Sequence, residues 1–330
     1  MKKYYLLLIA GILSFASLTV SAQTKSAPLT KANAGKIIEM TNAVIDIYND
    51  QLREIKDVRE CLERFDNSME AVSANPKSSA HGASCANIRV LRSDLLEKMQ
   101  AKAKLAPAFA EKNDILKGMD EVNKEFATVK ERCQEIQTYF STKKYLEDDK
   151  DYTNYTTLRD AYIDSYKKIS TLFNTTMNLA SAAGDRAELV ILKTHPLASV
   201  VMPMKNNLIA VSQLMNKCRA DEPDADAIKA DVAAIRKSLE KNKVMTPAIK
   251  AALKKSHNGE DRFNRFYEYV GDAMNHADKF LEYLDPNKEI TDVDHVLKET
   301  VEGARARHMG RQYNEVSKYY GYMVDEYNSL

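Results

Sequence analysis

YNEVSKYYGYMVDEYNSL, residues 313–330, closes the chain and decides how the rest of it reads. Taken as a helix and extended back one turn, it sets Met309, Tyr313, Val316, Tyr320, Met323 and Tyr327 at alternating steps of four and three. That spacing puts all six on one narrow face, as in a bundle helix. A Tyr-Asn pair stands near each end, Tyr313-Asn314 and Tyr327-Asn328, and a third pair, Tyr48-Asn49, lies far upstream. A bare seam of tyrosine, methionine and valine would drive association, so another helix must cover it.

The upstream pair sits inside a run of the same period. Ile37, Thr41, Val44, Tyr48, Gln51, Ile55, Val58, Leu62, Phe65, Met69 and Val72 alternate four and three, a coiled-coil-like seam that begins sharply at Lys36. Such a helix is about 50 Å long at 1.5 Å per residue and needs partners along its whole length. A loop over 73–84 follows, then a shorter helix over 85–106 with Ile88, Leu91, Leu95, Met99 and Leu105 inward. Pro107 suits the first turn of a third helix, whose seam runs from Phe109 through Phe126 and Cys133 to Phe140. Residues 141–153, STKKYLEDDKDYT, break the period and mark the main junction.

Beyond the junction a helix runs from Asn154 toward Lys193 and stops at His195-Pro196, because the residue before a proline avoids helical geometry. A helix over 197–219 contains Pro203, which should kink or shorten it. The acidic turn Asp221-Glu222-Pro223-Asp224 opens a short helix with Ile228, Val232, Ile235 and Leu239 inward. Thr246-Pro247 is a cap followed by a first-turn proline. Phe263, Phe266, Tyr267, Val270, Ala273, Ala277, Phe280, Leu281 and Leu284 form the most apolar face in the chain.

The fold class is therefore all-α: elongated antiparallel helical bundles built from long helices. The expected organisation is a flexible lead-in at 23–35, an N-terminal bundle at 36–142 completed by 304–330, and a second bundle or extension at 154–290. Residues 291–330 are the return helix, and the helix carrying Tyr48 is expected to pack along the one carrying Tyr313, Tyr320 and Tyr327. Only 10 Gly and 8 Pro occur in 330 residues, which suits long helices. The charge, 48 basic against 47 acidic side chains, selects neither nucleic acid nor an anionic membrane.

At the N-terminus Lys2-Lys3 precede an apolar run from Tyr4 to Val20, and Val20-Ser21-Ala22 stands before Gln23. A positive end, an apolar middle and small residues at the close make a secretory signal at 1–22. The run is short of the ~20 residues a membrane span needs, and no later stretch is apolar enough to cross. The mature chain is expected to begin near Gln23 and to be periplasmic or secreted.

A Tyr- and Asn-rich first helix, the acidic junction YLEDDKDYTNY at 145–155, and the YN-x4-YY-x6-YN spacing of the last helix carry a resemblance. They resemble a family of exported, all-helical bacterial proteins of unknown function, many of them lipoproteins. The resemblance implies an all-α fold and an envelope location, and brings no catalytic residue with it. No cysteine stands at the processing site, which departs from the lipoprotein pattern.

Candidate chemistry is sparse. The histidines, His81, His195, His257, His276, His295 and His308, form no i, i+3 or i, i+4 pair, and no H-E-x-x-H or repeated Glu-x-x-His occurs. Glu147, Asp148, Asp149 and Asp151 lack calcium-loop spacing and read as a solvated junction. Asp221, Asp224 and Asp226 read as helix-start acids, and Asp292, Asp294 and His295 on a helix would point apart. No nucleophile elbow, P-loop or dinucleotide fingerprint occurs. Cys61, Cys85, Cys133 and Cys218 allow one disulfide in an exported protein, while Cys61 and Cys133 fall on seams and equally suit a core.

The Tyr-Asn residues, Tyr48, Asn49, Tyr313, Asn314, Tyr320, Tyr327 and Asn328, are the sharpest signature. They line a ligand groove or pack rings into the seam with Asn at its edge, and packing is the favoured reading. The function that follows is an exported cell-envelope binding or scaffolding protein with no catalysis and no cofactor. Its partner would be an envelope protein or a glycan, not nucleic acid. The alternative is an enzyme or metal-binding bundle whose site is assembled from distant helices.

Overall fold

The computed structural model describes residues 29–77, 84–85, 88–220, 222–254, 256–293 and 300–330. The expected signal segment, residues 23–28 of the lead-in, and His81, Asp221, Asp294 and His295 lie outside them. Among the described residues there are nine α-helices and no strand. They are α1 (Lys31–Ala74), α2 (Ser93–Leu105), α3 (Lys112–Ser141), α4 (Thr153–Leu192), α5 (Ala198–Cys218), α6 (Ala225–Asn242), α7 (Pro247–Leu253), α8 (Gly259–Leu284) and α9 (Val301–Asn328). No helix of these is long and apolar enough to cross a membrane. The chain divides into two compact units between residues 190 and 191, in the last turn of α4.

That division corrects two expectations. The polar break at 141–153 is not a domain boundary but a corner inside the first unit, and 154–190 belongs with 36–142. The last helix belongs with α5 to α8 rather than completing the bundle of α1. The reason lies in the seams themselves: α4 continues the period past the corner and covers α1 and α3. The strongly apolar face of α8, nearest in sequence to α9, covers α9.

In the first unit α1 and α3 run parallel and α4 runs antiparallel to both. Tyr162 of α4 donates its hydroxyl to the Val58 carbonyl at 2.7 Å, and Tyr48 stacks on Phe173 at 5.2 Å between centroids. Every α1 seam residue read from the sequence is buried or half-buried. One core gathers Met40, Val44, Ile47, Met99, Ile115, Met119, Phe126, Ile169 and Phe173. Helix packing is closest where glycines allow it. A Cβ on Gly118 would overlap the Thr176 side chain, and one on Gly184 would lie 2.9 Å from the Thr41 hydroxyl. The short α2 lies antiparallel on α1, edged by Lys98–Asp46 at 2.8 Å and Lys102–Glu39 at 2.7 Å.

The second unit is an up-and-down arrangement of α5, α6, α8 and α9, with α7 as a short connector. Lys217–Asp231 pairs α5 with α6, and Arg236–Asp278 pairs α6 with α8. Arg265–Glu326 and the stacked Tyr283–His308 mark α8 and α9 as antiparallel. Ile228, Val232, Ile235 and Leu239 are the buried residues of α6, as the spacing predicts. Pro203 stays inside α5, where the Asn207 side chain donates to its carbonyl at 3.1 Å.

Several boundaries shift. Residues 31–35 are helical rather than flexible, because the Thr30 hydroxyl caps α1 through the Asn33 N–H and Ala34 is fully buried. The helix expected over 85–106 begins only at Ser93. Cys85 is bonded to α3, and the N–H of Arg89 goes to Glu54 at 3.2 Å, so residues 88–92 are tied to α1 outside any helix. Leu105 points outward, and Pro107 precedes α3 by five residues instead of opening it.

Candidate functional site

An open cleft of about 860 Å³ lies in the first unit between the end of α3 and the start of α4. Its walls follow from helical spacing. Glu131, Gln134, Glu135 and Thr138 stand at i, i+3, i+4 and i+7 on one face of α3, and Asn154, Thr157 and Leu158 do the same on α4. Tyr139 also lines it, and Lys144 and Glu147 from the corner close one end. Glu135 is already paired with Arg132 at 2.8 Å. The cleft therefore offers carboxylate acceptors, amides and hydroxyls over a small apolar patch, within the size range of ligand sites.

Asp148 holds this corner together. Its carboxylate accepts from the Tyr139 hydroxyl at 2.8 Å, from the Asn154 side-chain amide at 2.9 Å, and from the N–H groups of Asp149, Asn154 and Tyr155. Burial works against its charge, but the Tyr139 bond and the backbone N–H groups outweigh burial and hold its pKa below the usual carboxylate range. Burial, then the hydrogen bond to Asp148, push the Tyr139 hydroxyl well above the ordinary phenol value. Asp149 accepts from the N–H groups of Asp151 and Thr153. Two of the acids that suggested calcium, Asp148 and Asp149, are thus spent capping α4, with Lys143 and Tyr152 in left-handed backbone at the two bends.

The Tyr-Asn signature is divided between the two units. Tyr48 packs on Phe173 in the first unit, with Asn49 exposed beside it. On α9 the covered stripe is Ala304, His308, Gln312, Val316 and Met323. Tyr313, Tyr320 and Tyr327 are half-buried along its flank, and Asn314 and Asn328 are exposed. Arg219 lies over the Tyr313 ring at 5.7 Å and Lys205 over the Tyr327 ring at 5.9 Å. Rings at the flank keep their hydroxyls near water, while smaller side chains take the close contact with α8.

The four described histidines each have their own surroundings. His195 Nδ1 accepts from the Leu197 N–H within a turn, and His257 is exposed at a helix end. His276 meets the Gln312 amide oxygen at 2.7 Å; His308 meets Asp292 at 2.7 Å and stacks flat on Tyr283 at 4.4 Å. The His308 bond, more than any other contact, holds Asp292 below the usual carboxylate range. Among the described residues no three metal-ligating side chains cluster. Cys85 and Cys133 form a disulfide, with Cα atoms 5.8 Å apart, and Cys61 and Cys218 are buried thiols.

Sequence reasoning missed the cleft because its α3 wall has the composition of an ordinary solvated face. The one signal was the broken period at 141–153, which folds as the cleft's end wall. In overall fold the chain is similar to a crystallographically solved alpha-helical protein from Bacteroides fragilis NCTC 9343. The identity is 18%, the TM-score 0.53, and the match covers 90% of this chain and 99% of that one. No curated protein matches the chain. The family described as "Protein of unknown function (DUF3829)" matches residues 38–329, and the chain belongs to that family.

Proposed function

We propose that the protein is an exported binding protein of the cell envelope, which holds a polar ligand in the α3–α4 cleft and performs no chemistry on it. The observation that carries this reading is the cleft: its side chains come from two rigid helices whose corner is fixed by Asp148. The acceptors Glu131 and Glu147, with the amides of Gln134 and Asn154, suit a ligand rich in hydroxyl donors, and an envelope glycan is our assignment. Export is supported by the secretory pattern of Lys2-Lys3, the apolar run to Val20 and Val20-Ser21-Ala22. The Tyr-Asn residues act in helix packing rather than in recognition.

The test is native mass spectrometry of the protein purified from its own envelope, followed by glycan binding to the wild type and to a Glu131→Gln, Asn154→Ala variant. A retained or titrated glycan, lost in the variant while the helical signal is kept, is the expected result. A retained peptide would transfer the cleft to a protein partner. A bound metal, or turnover of the glycan, would overturn the non-catalytic reading.

A further inference from the structure

In the first unit a buried thiol lies beside a disulfide. Cys61 of α1 is fully buried and unbonded, and its Sγ sits 3.6 Å from the carbonyl oxygen of Ser84, whose peptide unit runs directly into Cys85. Cys85 is bonded to Cys133 of α3. The Arg64 guanidinium reaches the Cys61 sulfur, Nη2 to Sγ 3.5 Å. Among the described residues this stretch is also tied to α1: the Arg89 N–H bonds Glu54, and Arg92 pairs with Asp50 at 3.4 Å.

We propose that Cys61 exchanges with the Cys85–Cys133 disulfide, so that the first unit holds two alternative pairings, Cys85–Cys133 and Cys61–Cys85. Cys61 loses its proton to water, and the thiolate attacks Sγ of Cys85. The Cys61–Cys85 bond forms as the Cys85–Cys133 bond breaks, the electron pair leaves on Cys133 Sγ, and that sulfur takes up a proton. One disulfide and one thiol stand on each side, so no oxidant or reductant is consumed. The outcome is a transfer of the covalent anchor at Cys85 from α3 to α1, with the Glu54 and Asp50 contacts available to both states. The native pairing closes a 48-residue separation, and both pairings are held inside the same folded unit.

The experiment is disulfide mapping of the full chain, equilibrated at neutral pH in a glutathione redox buffer, quenched in acid and alkylated. The expected result is a Cys61–Cys85 peptide beside the Cys85–Cys133 one, with alkylated Cys133 in the same fraction as the former. Cys133→Ala, shown to be helical by circular dichroism, should form the Cys61–Cys85 bond in nearly every molecule, and Cys218→Ser should leave the exchange unchanged. The proposal is overturned if the wild type yields only Cys85–Cys133 with Cys61 alkylated. It is equally overturned if folded Cys133→Ala keeps both Cys61 and Cys85 as thiols, or if Cys218 is the residue that pairs.

Discussion

Arg159 of α4 closes on Asp66 of α1 in a two-pronged pair, Nε to Oδ1 at 2.7 Å and Nη2 to Oδ2 at 2.9 Å, across 93 residues of sequence. The Tyr155 hydroxyl adds a third bond to Oδ1 at 2.7 Å. Both charged side chains are under one-third exposed, so solvent screening leaves much of the attraction in place. Arg159→Ala should lower unfolding free energy by about 1–3 kcal/mol in urea titrations. Arg159→Lys should recover under half of it, because an ammonium cannot reproduce the planar fork. A cycle with Asp66→Ala should show a coupling of about 1 kcal/mol or more, and strict additivity would show that the pair contributes nothing.

Gly118 and Thr176 set the spacing of α3 and α4. The added Cβ of Gly118→Ala would overlap Thr176, a short β-branched side chain that is itself buried and stiff at χ1. Alanine gains about 1 kcal/mol of helix propensity over glycine, yet the overlap should make the variant less stable by about 1–3 kcal/mol. Adding Thr176→Ala should restore most of the loss. If Gly118→Ala raises the melting temperature, the close approach is not a real constraint.

Asp148 should govern the acid side of the stability curve. Its pKa is lowered in the folded chain, so the unfolded state binds more protons as pH falls toward 4. The stabilisation is complete above the unfolded value, near 3.8, and is lost as pH drops through the lower folded value. Asp148→Asn should cost about 1–2 kcal/mol at pH 7, as for a lost helix cap. It should also flatten the decline of stability below pH 4. An unchanged acid limb in the variant would assign that limb to other carboxylates.

Cys218 should be chemically inert until its unit opens. Burial, reinforced by the nearby Asp231 charge, pushes its thiol up to about 12. At pH 8 almost none of it is thiolate, so alkylation should follow unfolding of residues 191–330 rather than simple exposure time. Rapid labelling of the native protein would contradict this placement.

How far the sequence was legible depended on what each residue had to satisfy. Period-four-three seams located α1, α3, α4, α6 and α8, because apolar burial is written directly into spacing. Partner choice was not written there. The face of α9 suits any apolar groove, and only the neighbouring α8 face and the Arg265–Glu326 and His276–Gln312 contacts select its seat. The seam of α9 was also displaced. His308 and Gln312 are polar, so hydropathy skipped them, yet each is buried because Asp292 and His276 satisfy it. The cleft stayed hidden for the opposite reason: Glu131, Glu135 and Thr138 look like solvent-facing positions on α3 until α4 folds back beside them.

Arg305 makes the sharpest case for such non-local satisfaction. Its guanidinium, at the start of α9, donates to the carbonyls of Tyr283 in the last turn of α8, of the cap residue Asp285, and of Pro286 and Lys288 in the turn beyond. A helix end leaves its last carbonyls without intrahelical partners, and here one side chain from the next helix serves one of them together with the turn that follows. A guanidinium also places positive charge at the negative end of the α8 dipole. Arg305→Ala should therefore cost about 1.5–3 kcal/mol, the worth of bonds to a charged group. Amide exchange at Lys288, whose N–H closes the turn on Asp285, should quicken by tenfold or more. Arg305→Lys keeps the charge but not the flat array of donors, and should recover only the smaller dipole contribution. If lysine restores full stability, the effect is electrostatic and the four-carbonyl geometry is incidental. If alanine leaves exchange at Lys288 unchanged, the turn holds itself and Arg305 is not its clamp.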